Sequence, residues 1–333
     1  MTTRAIILGG GQSWNDAGLS AVRALPLMPV AHVPLICHTI NWLAETDVTD
    51  VTICTHESWR VRPTMLQPAL RDKVRLTHYV DASPRGTAGC VRDAVEQYGG
   101  DRVVVCDGTI LPEQNLAAIL QHHIDNAAAL TVVVAADGRP RQDIAARSRP
   151  VGIYVIDRSA IELIPTTGYQ DLKEMLIPRL YASGLHTTTW KTQRSALRLH
   201  DMNSYLVMSA DAATRISKSK SDWSGYNRLG DSLVHASARV GARASLIGPV
   251  LIGPNTVIDE AVTIVGPTTI GADCRVESTA VICASVLWDR CRAGRRSVID
   301  HALVIDDGQV PAGTRVDHAI FGGQSVFAEM QPG

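Results

Sequence analysis

The stretch Val103 to Leu111, VVVCDGTIL, is an apolar run that ends in an acid, a glycine and a threonine. A buried strand ending this way in an α/β protein presents a carboxylate, here Asp107, at the edge where metal ions and phosphorylated ligands are met. GTAG, Gly86 to Gly89, reads as the opening of a helix. A glycine-bearing helix N-terminus is an anion or base site, and a plain tight strand-to-helix turn has the same appearance. The pair His122 and His123 invites a metal reading, but neighbours on a helix point in different directions, so an exposed face is expected. His235, His301 and His318 could each serve as a base for acyl transfer, and read more simply as surface or corner positions.

The elements that must position these residues fall into two regimes. Up to about residue 208, strand-like runs (RAIILGG, DVTICTH, DRVVVCDGTI, ALTVVVAA, VGIYVID) alternate with helix-like ones (VPLICHTINWLAET, TAGCVRDAVEQYG, EQNLAAILQHHIDNAA, YQDLKEMLIPRLYASG). That alternation predicts a largely parallel sheet with helices on both faces. A polar, Ser/Lys-rich segment follows and predicts a helix end and a linker over 209–229. Then Val234, Val240, Leu246, Ile252, Ile258, Ile264, Ile270, Val276, Ile282 and Trp288 recur every six residues, and after a slip the period resumes at Val298, Val304, Val310 and Val316. A hexapeptide period of this length predicts a β-helix over 230–325, with each apolar residue pointing into a narrow core.

Composition narrows the function classes. The chain has 333 residues and a formal net charge of −1, so no global basic field draws nucleic acid or an anionic membrane. Apolar runs are short and broken, and MTTRAIILGGG enters a strand without the pattern of a signal peptide, so no membrane span and a cytoplasmic location are expected. Seven scattered cysteines, without zinc spacing, read as reduced core thiols. Arg290, Arg292, Arg295 and Arg296 form a basic cluster late in the repeat, read as a solvated face or an interface.

AIILGGG, PLMPV, PLICHTINWL, RGTAGCVRDA, VVVCDGTIL, VGIYVID, DLKEMLIPRLYASG and the hexapeptide tail stand in the order found in sugar-1-phosphate nucleotidyltransferases, the NDP-sugar pyrophosphorylases. The chain resembles the mannose-1-phosphate guanylyltransferase and glucose-1-phosphate nucleotidyltransferase groups of that family over nearly its whole length. The resemblance implies a Rossmann-like α/β nucleotidyltransferase domain with a mostly parallel sheet at 1–208, a linker at 209–229, and a left-handed parallel β-helix at 230–325. It also implies a reaction of a nucleoside triphosphate with a sugar 1-phosphate, by in-line displacement at phosphorus with Mg²⁺ clamping the oxygens.

Carried over residue by residue, the resemblance places nucleotide contacts at Leu8, Gly9, Gly10, Gly11, Gly86, Thr87 and Ala88, and sugar-phosphate contacts at Lys173 and Glu174. The chemistry-bearing positions depart from the family pattern. Trp14 and Asp16 lie where a loop arginine is usual, Leu25 where a lysine is usual, Thr109 and Arg198 at the two metal aspartates, and Pro150 at a sugar-contacting asparagine. Arg23, Asp107 and Asp201 are the catalytic candidates if the registers have shifted, with Asp16 and Lys173 completing such a rebuilt site. These groups act as a unit, and loss of one electrostatic stabiliser alone costs about 10²–10³ in rate. The expectation is therefore a non-catalytic or strongly impaired relative acting as a regulatory or scaffold subunit. It would need no cofactor, Mg²⁺ entering only if it is active, and would bind a nucleotide or NDP-sugar. Exposed coil ends predict a homo-oligomer, or a hetero-oligomer with an active pyrophosphorylase. An active divergent pyrophosphorylase is the alternative, and a β-helix acyltransferase a further one.

Overall fold

A computed structural model describes residues 2–10, 19–55, 59–81, 84–135, 149–193, 196–219, 223–323 and 325–329. The chain divides into two compact units, one of residues 1–12 and 34–198, the other of residues 13–33 and 199–333.

The first unit contains strands β1 (Thr3–Leu8), β2 (Asp50–Thr55), β3 (Arg75–Val80), β4 (Arg102–Asp107), β5 (Ile110–Leu111), β6 (Leu130–Ala135), β7 (Arg149–Asp157), β8 (Thr187–Thr192) and β9 (Leu197–Arg198). Its principal helices are α1 (Leu35–Ala44), α2 (Gly86–Tyr98), α3 (Leu116–Asp125) and α4 (Ile177–Ala182). Seven strands form one sheet in the order β8-β6-β7-β4-β1-β2-β3. All neighbours run parallel except β7, which is antiparallel to both β4 and β6. The central strands are nearly continuous apolar runs because both their faces are covered. The edge strands RLTHYV and TTTWKT carry the polar residues. The predicted α/β architecture is thus observed.

The second unit is the predicted β-helix. Three stacks of short parallel strands run along it, from Val234 beside Ile252 and Ile270 to Leu303 and Val304 beside Ile320 and Phe321. Its core is a column of Val, Ile, Leu, Cys and Ala side chains. Coils rise by eighteen residues from Val234 to Ile252 to Ile270, then by seventeen from Ile270 to Leu287 to Val304 to Phe321. One corner of each later coil is therefore a residue shorter. This corrects the six-residue count: Leu287, not Trp288, and Ile299, not Val298, occupy the inward column. Corner residues with left-handed backbone repeat at the same spacing, as in Ala284, His301 and His318.

The chain divides differently from the expected 1–208, 209–229 and 230–325. Residues 209–218 are the second half of a helix, α5 (Met202–Lys218), which belongs to the β-helix unit, and only 219–225 connect it onward. The segment 13–33 also belongs to that unit. Trp288 donates from Nε1 to the Tyr205 hydroxyl of α5 at 2.8 Å, and that hydroxyl donates to the Pro29 carbonyl at 2.5 Å. Among the described residues no helix is long and apolar enough to cross a membrane.

The histidine expectation is corrected as well. His123 is fully buried; its Nε2 lies 3.0 Å from Asp157 and its Nδ1 2.7 Å from Thr131. Arg102 donates to both Asp157 oxygens at 2.7 and 3.0 Å. Burial of Asp157 favours its neutral form, but the hydrogen bonds from His123 and Arg102 outweigh that and hold the carboxyl at about 2, against 3.8 unperturbed. A depressed folded-state value means stabilisation above the unfolded pKa that is lost as pH falls through the folded one. Between about pH 4 and pH 2 the protein is expected to lose on the order of 2 kcal/mol through this carboxyl. In denaturant unfolding across that range, Asp157→Asn should be less stable at pH 7 and flatter in acid. An unchanged acid limb would contradict the assignment.

Candidate functional site

Register fixes what meets at the carboxyl edge of the sheet. Leu8 at the end of β1 pairs with Cys54 of β2 on one side and Asp107 of β4 on the other. Beyond these ends Gly9 donates to the Cys54 carbonyl and Gly108 to the Leu8 carbonyl, both at 2.8 Å, so the strands separate only after the turns. A cavity of about 180 Å³ opens there. Leu8, Gly10 and Cys54 line it from the strand ends, Gly86, Thr87 and Cys90 from α2, with Asp81 and Tyr169 at its sides.

Gly86 makes the cavity possible. Its φ is +84°, and a Cβ would stand 2.4 Å from the Gln170 carbonyl oxygen. That same carbonyl accepts from the Ala88 and Gly89 amides, so the first turn of α2 is capped by the chain itself. Thr87 donates to Asp171 at 3.0 Å, and Asp171 in turn accepts from the Lys173 and Glu174 amides. The Lys173 and Glu174 side chains are exposed. Cys54 and Cys90 lie together; the hydrogen bond between their sulfurs and their burial push the Cys54 thiol well up, so it stays neutral. Asp81, buried at the end of β3, is the carboxylate among the cavity's lining residues.

Of the nucleotide residues expected from sequence, Leu8, Gly10, Gly86 and Thr87 line the cavity. Gly9 lies against the Trp59 ring, which would meet a Cβ at 2.7 Å, and Ala88 is buried behind the helix start. Gly11, Trp14 and Asp16 lie outside the described residues. Sequence reasoning missed Asp81, Trp59 and Tyr169. An acid five residues before Gly86, just past the end of a strand, was the available signal for Asp81.

The catalytic candidates separate. Arg23 is in the β-helix unit, ion-paired with Asp306 and lying 4.4 Å over the Trp288 ring, so its charge is already committed there. Leu25 is buried in the same unit. Asp201 caps α5: it accepts from the Ser204 amide at 2.7 Å while Ser204 Oγ accepts from its own amide at 2.9 Å. His235 bonds Ser237, and His301 and His318 stack at 5.0 Å with each Nδ1 on the preceding aspartate, at corners as expected. Within the basic cluster, Arg290 pairs with Asp307 and Arg292 with Glu277, so two of its four charges are compensated.

Asp107 stands at the sheet edge with Arg198 on it. The guanidinium of Arg198, placed by the pairing of β9 with β5, is ion-paired to Asp107 Oδ2. The other oxygen, Oδ1, accepts from the Thr109 amide at 2.9 Å and hydroxyl at 2.8 Å. Gly152, at φ +94°, leaves room for this: a Cβ there would sit 2.6 Å from Arg198 Nη2. Both Asp107 oxygens are thus occupied by cationic or neutral donors. Among the described residues no group of three or more His, Cys, Asp or Glu side chains could hold a metal ion. The donor set at Asp107 does not fit the Mg²⁺ that the resemblance implies.

Gly86→Ala should lower stability by roughly 1–3 kcal/mol, since it combines a strained backbone with a clash against main chain. Chemical denaturation measures this, and a neutral substitution would show that the turn at Gln170 is not fixed as described.

The comparisons with known proteins agree with this geometry. A family model described as "Nucleotidyl transferase" matches residues 4–142, which include β1 to β6 and the cavity edge. The chain is 25% identical to mannose-1-phosphate guanylyltransferase of Mycobacterium tuberculosis (strain ATCC 25618 / H37Rv), over 82% of each. It is 25% identical to probable mannose-1-phosphate guanylyltransferase 1 of Oryza sativa subsp. japonica, over 91% of each. It is also 25% identical to bifunctional protein GlmU of Exiguobacterium sibiricum, over 91% of this chain and 74% of that protein. With an α/β unit that opens a cavity at its parallel-strand edge and a parallel β-helix unit, the chain is similar over most of its length to sugar-1-phosphate nucleotidyltransferases.

Proposed function

We propose that the chain binds a guanine nucleotide sugar at the α/β edge and turns it over weakly or not at all, serving sugar-nucleotide metabolism as a regulatory or scaffold subunit. One observation carries the catalytic half of this reading. The strand-tip carboxylate Asp107 is spent on Arg198 and Thr109, while Arg23, the nearest substitute for the usual lysine, is spent on Asp306. Displacement at phosphorus depends on concentrated positive charge around the transferred group. In this chain the carboxylate that would recruit a metal ion and the arginine nearest the usual lysine are both already paired.

The ligand half rests on the cavity. A buried carboxylate only accepts hydrogen bonds, and guanine offers an adjacent ring N–H and amino group, a donor pair that fits a carboxylate fork. Asp81 is the carboxylate that lines the cavity, and it is the residue we assign to this contact. Uracil has no such pair, so the cavity favours guanine. The relatives' printed activity, mannose-1-phosphate guanylyltransferase, points to the same base. The exposed apolar residues Ile247 and Leu229 on the β-helix unit suit assembly into an oligomer with further copies or with an active pyrophosphorylase in the cytoplasm.

The second reading, an active divergent guanylyltransferase, is favoured by the intact cavity and by the relatives' names. The two separate in one assay. Purified chain with GTP, mannose 1-phosphate and Mg²⁺ should release no pyrophosphate above background, while GDP-mannose should raise its melting temperature more than UDP-glucose does. Asp81→Ala should remove that preference. Turnover that disappears in Asp107→Ala would establish the active reading instead.

A further inference from the structure

We infer that Arg198 replaces the divalent cation at the strand edge, so that this protein binds a diphosphate group without metal. The inference rests on the reading of this edge as the phosphate-facing part of the nucleotide site. It goes beyond that reading by naming the residue and the mode of binding.

Charge balance is the first argument. Two carboxylates and a divalent cation sum to no net charge, and so do one carboxylate and one guanidinium. Arg198 stands at the chain position where the resemblance puts a metal-binding aspartate, and its partner is the strand-tip Asp107. A cation already sits against the carboxylate, so a divalent ion would have to displace a covalently tethered competitor. Thr109 closes the remaining Asp107 oxygen with two hydrogen bonds.

Position is the second argument. Asp107 pairs in register with Leu8, and Leu8 and Gly10 line the cavity. The pair therefore stands one strand away from the cavity, on the same carboxyl edge. The Arg198 side chain is 38% exposed, so an anion can reach it from solvent. A planar guanidinium bonds two phosphate oxygens at once in fixed geometry, which lets it take over the clamping role of a metal while supplying only a single charge. Asp107 orients the guanidinium and offsets part of its charge. Gly152 lets Nη2 lie against the main chain, where it donates to the Val151 carbonyl at 3.5 Å.

Calorimetric titration with inorganic pyrophosphate, in buffer containing EDTA, tests this. The native protein is expected to bind, with affinity unchanged by Mg²⁺. Arg198→Ala should weaken binding at least about tenfold, the size of a lost hydrogen bond between charged groups. Asp107→Asn should tighten binding, because it leaves the cation uncompensated; this gain cannot come from misfolding. Absence of pyrophosphate binding, binding that needs Mg²⁺, unchanged binding in Arg198→Ala, or weaker binding in Asp107→Asn would each overturn the inference. Pyrophosphate binding in EDTA without any response to GDP-mannose would uphold it and refute the nucleotide reading.

Discussion

The ion pair between Arg198 and Asp107 is the interaction on which the functional account turns. It closes the end of β4, and it holds β9 across β5, where the first unit ends. Coulomb attraction at a site only partly open to solvent is strong enough to matter, because the local dielectric is well below that of water. Gly152 and Thr109 are both shaped to it, one by lacking a side chain and the other by donating to the free carboxylate oxygen. At this edge a carboxylate and a guanidinium are held against each other.

A second constraint is the way segment 13–33 is shared out. It leaves the sheet unit after Gln12 and returns at Pro34, and in between it belongs with the β-helix unit. Arg23 lies on Trp288 and against Asp306, while His32 contacts the Tyr226 hydroxyl at 3.0 Å. Burial lowers the His32 imidazole to about 4, so it is neutral at physiological pH, and the packing around it is undisturbed by charge. Arg23 and Leu25, which the resemblance puts beside or at a lysine position, are thus packed within the second unit.

Much of the fold could be read from residue patterns. The alternation of apolar runs and helical spacing gave the parallel sheet, and the six-residue period gave the β-helix, because each depends on short-range periodicity. The count failed at Trp288, where one corner shortens. A buried tryptophan outside the column has the same apolar character as a leucine within it, and only coil-to-coil register tells them apart. The helix end expected within 209–229 reaches Lys218, because Ser and Lys are compatible with the solvated side of α5 as well as with a loop. His123 reads as exposed because its partners, Thr131 and Asp157, come from other elements. The same limit hid Asp81. The site was legible where backbone turns make it, at Gly10, Gly86 and Thr87, and illegible where side chains from distant strands meet.

The most direct test of the central claim is a crystal structure of the protein with GDP-mannose and Mn²⁺, with data recorded at the manganese edge. The account predicts Arg198 within hydrogen-bonding distance of a phosphate oxygen, still paired with Asp107, and no anomalous peak at that carboxylate. A manganese peak between Asp107 and the phosphates, with the Arg198 guanidinium swung away, would contradict it.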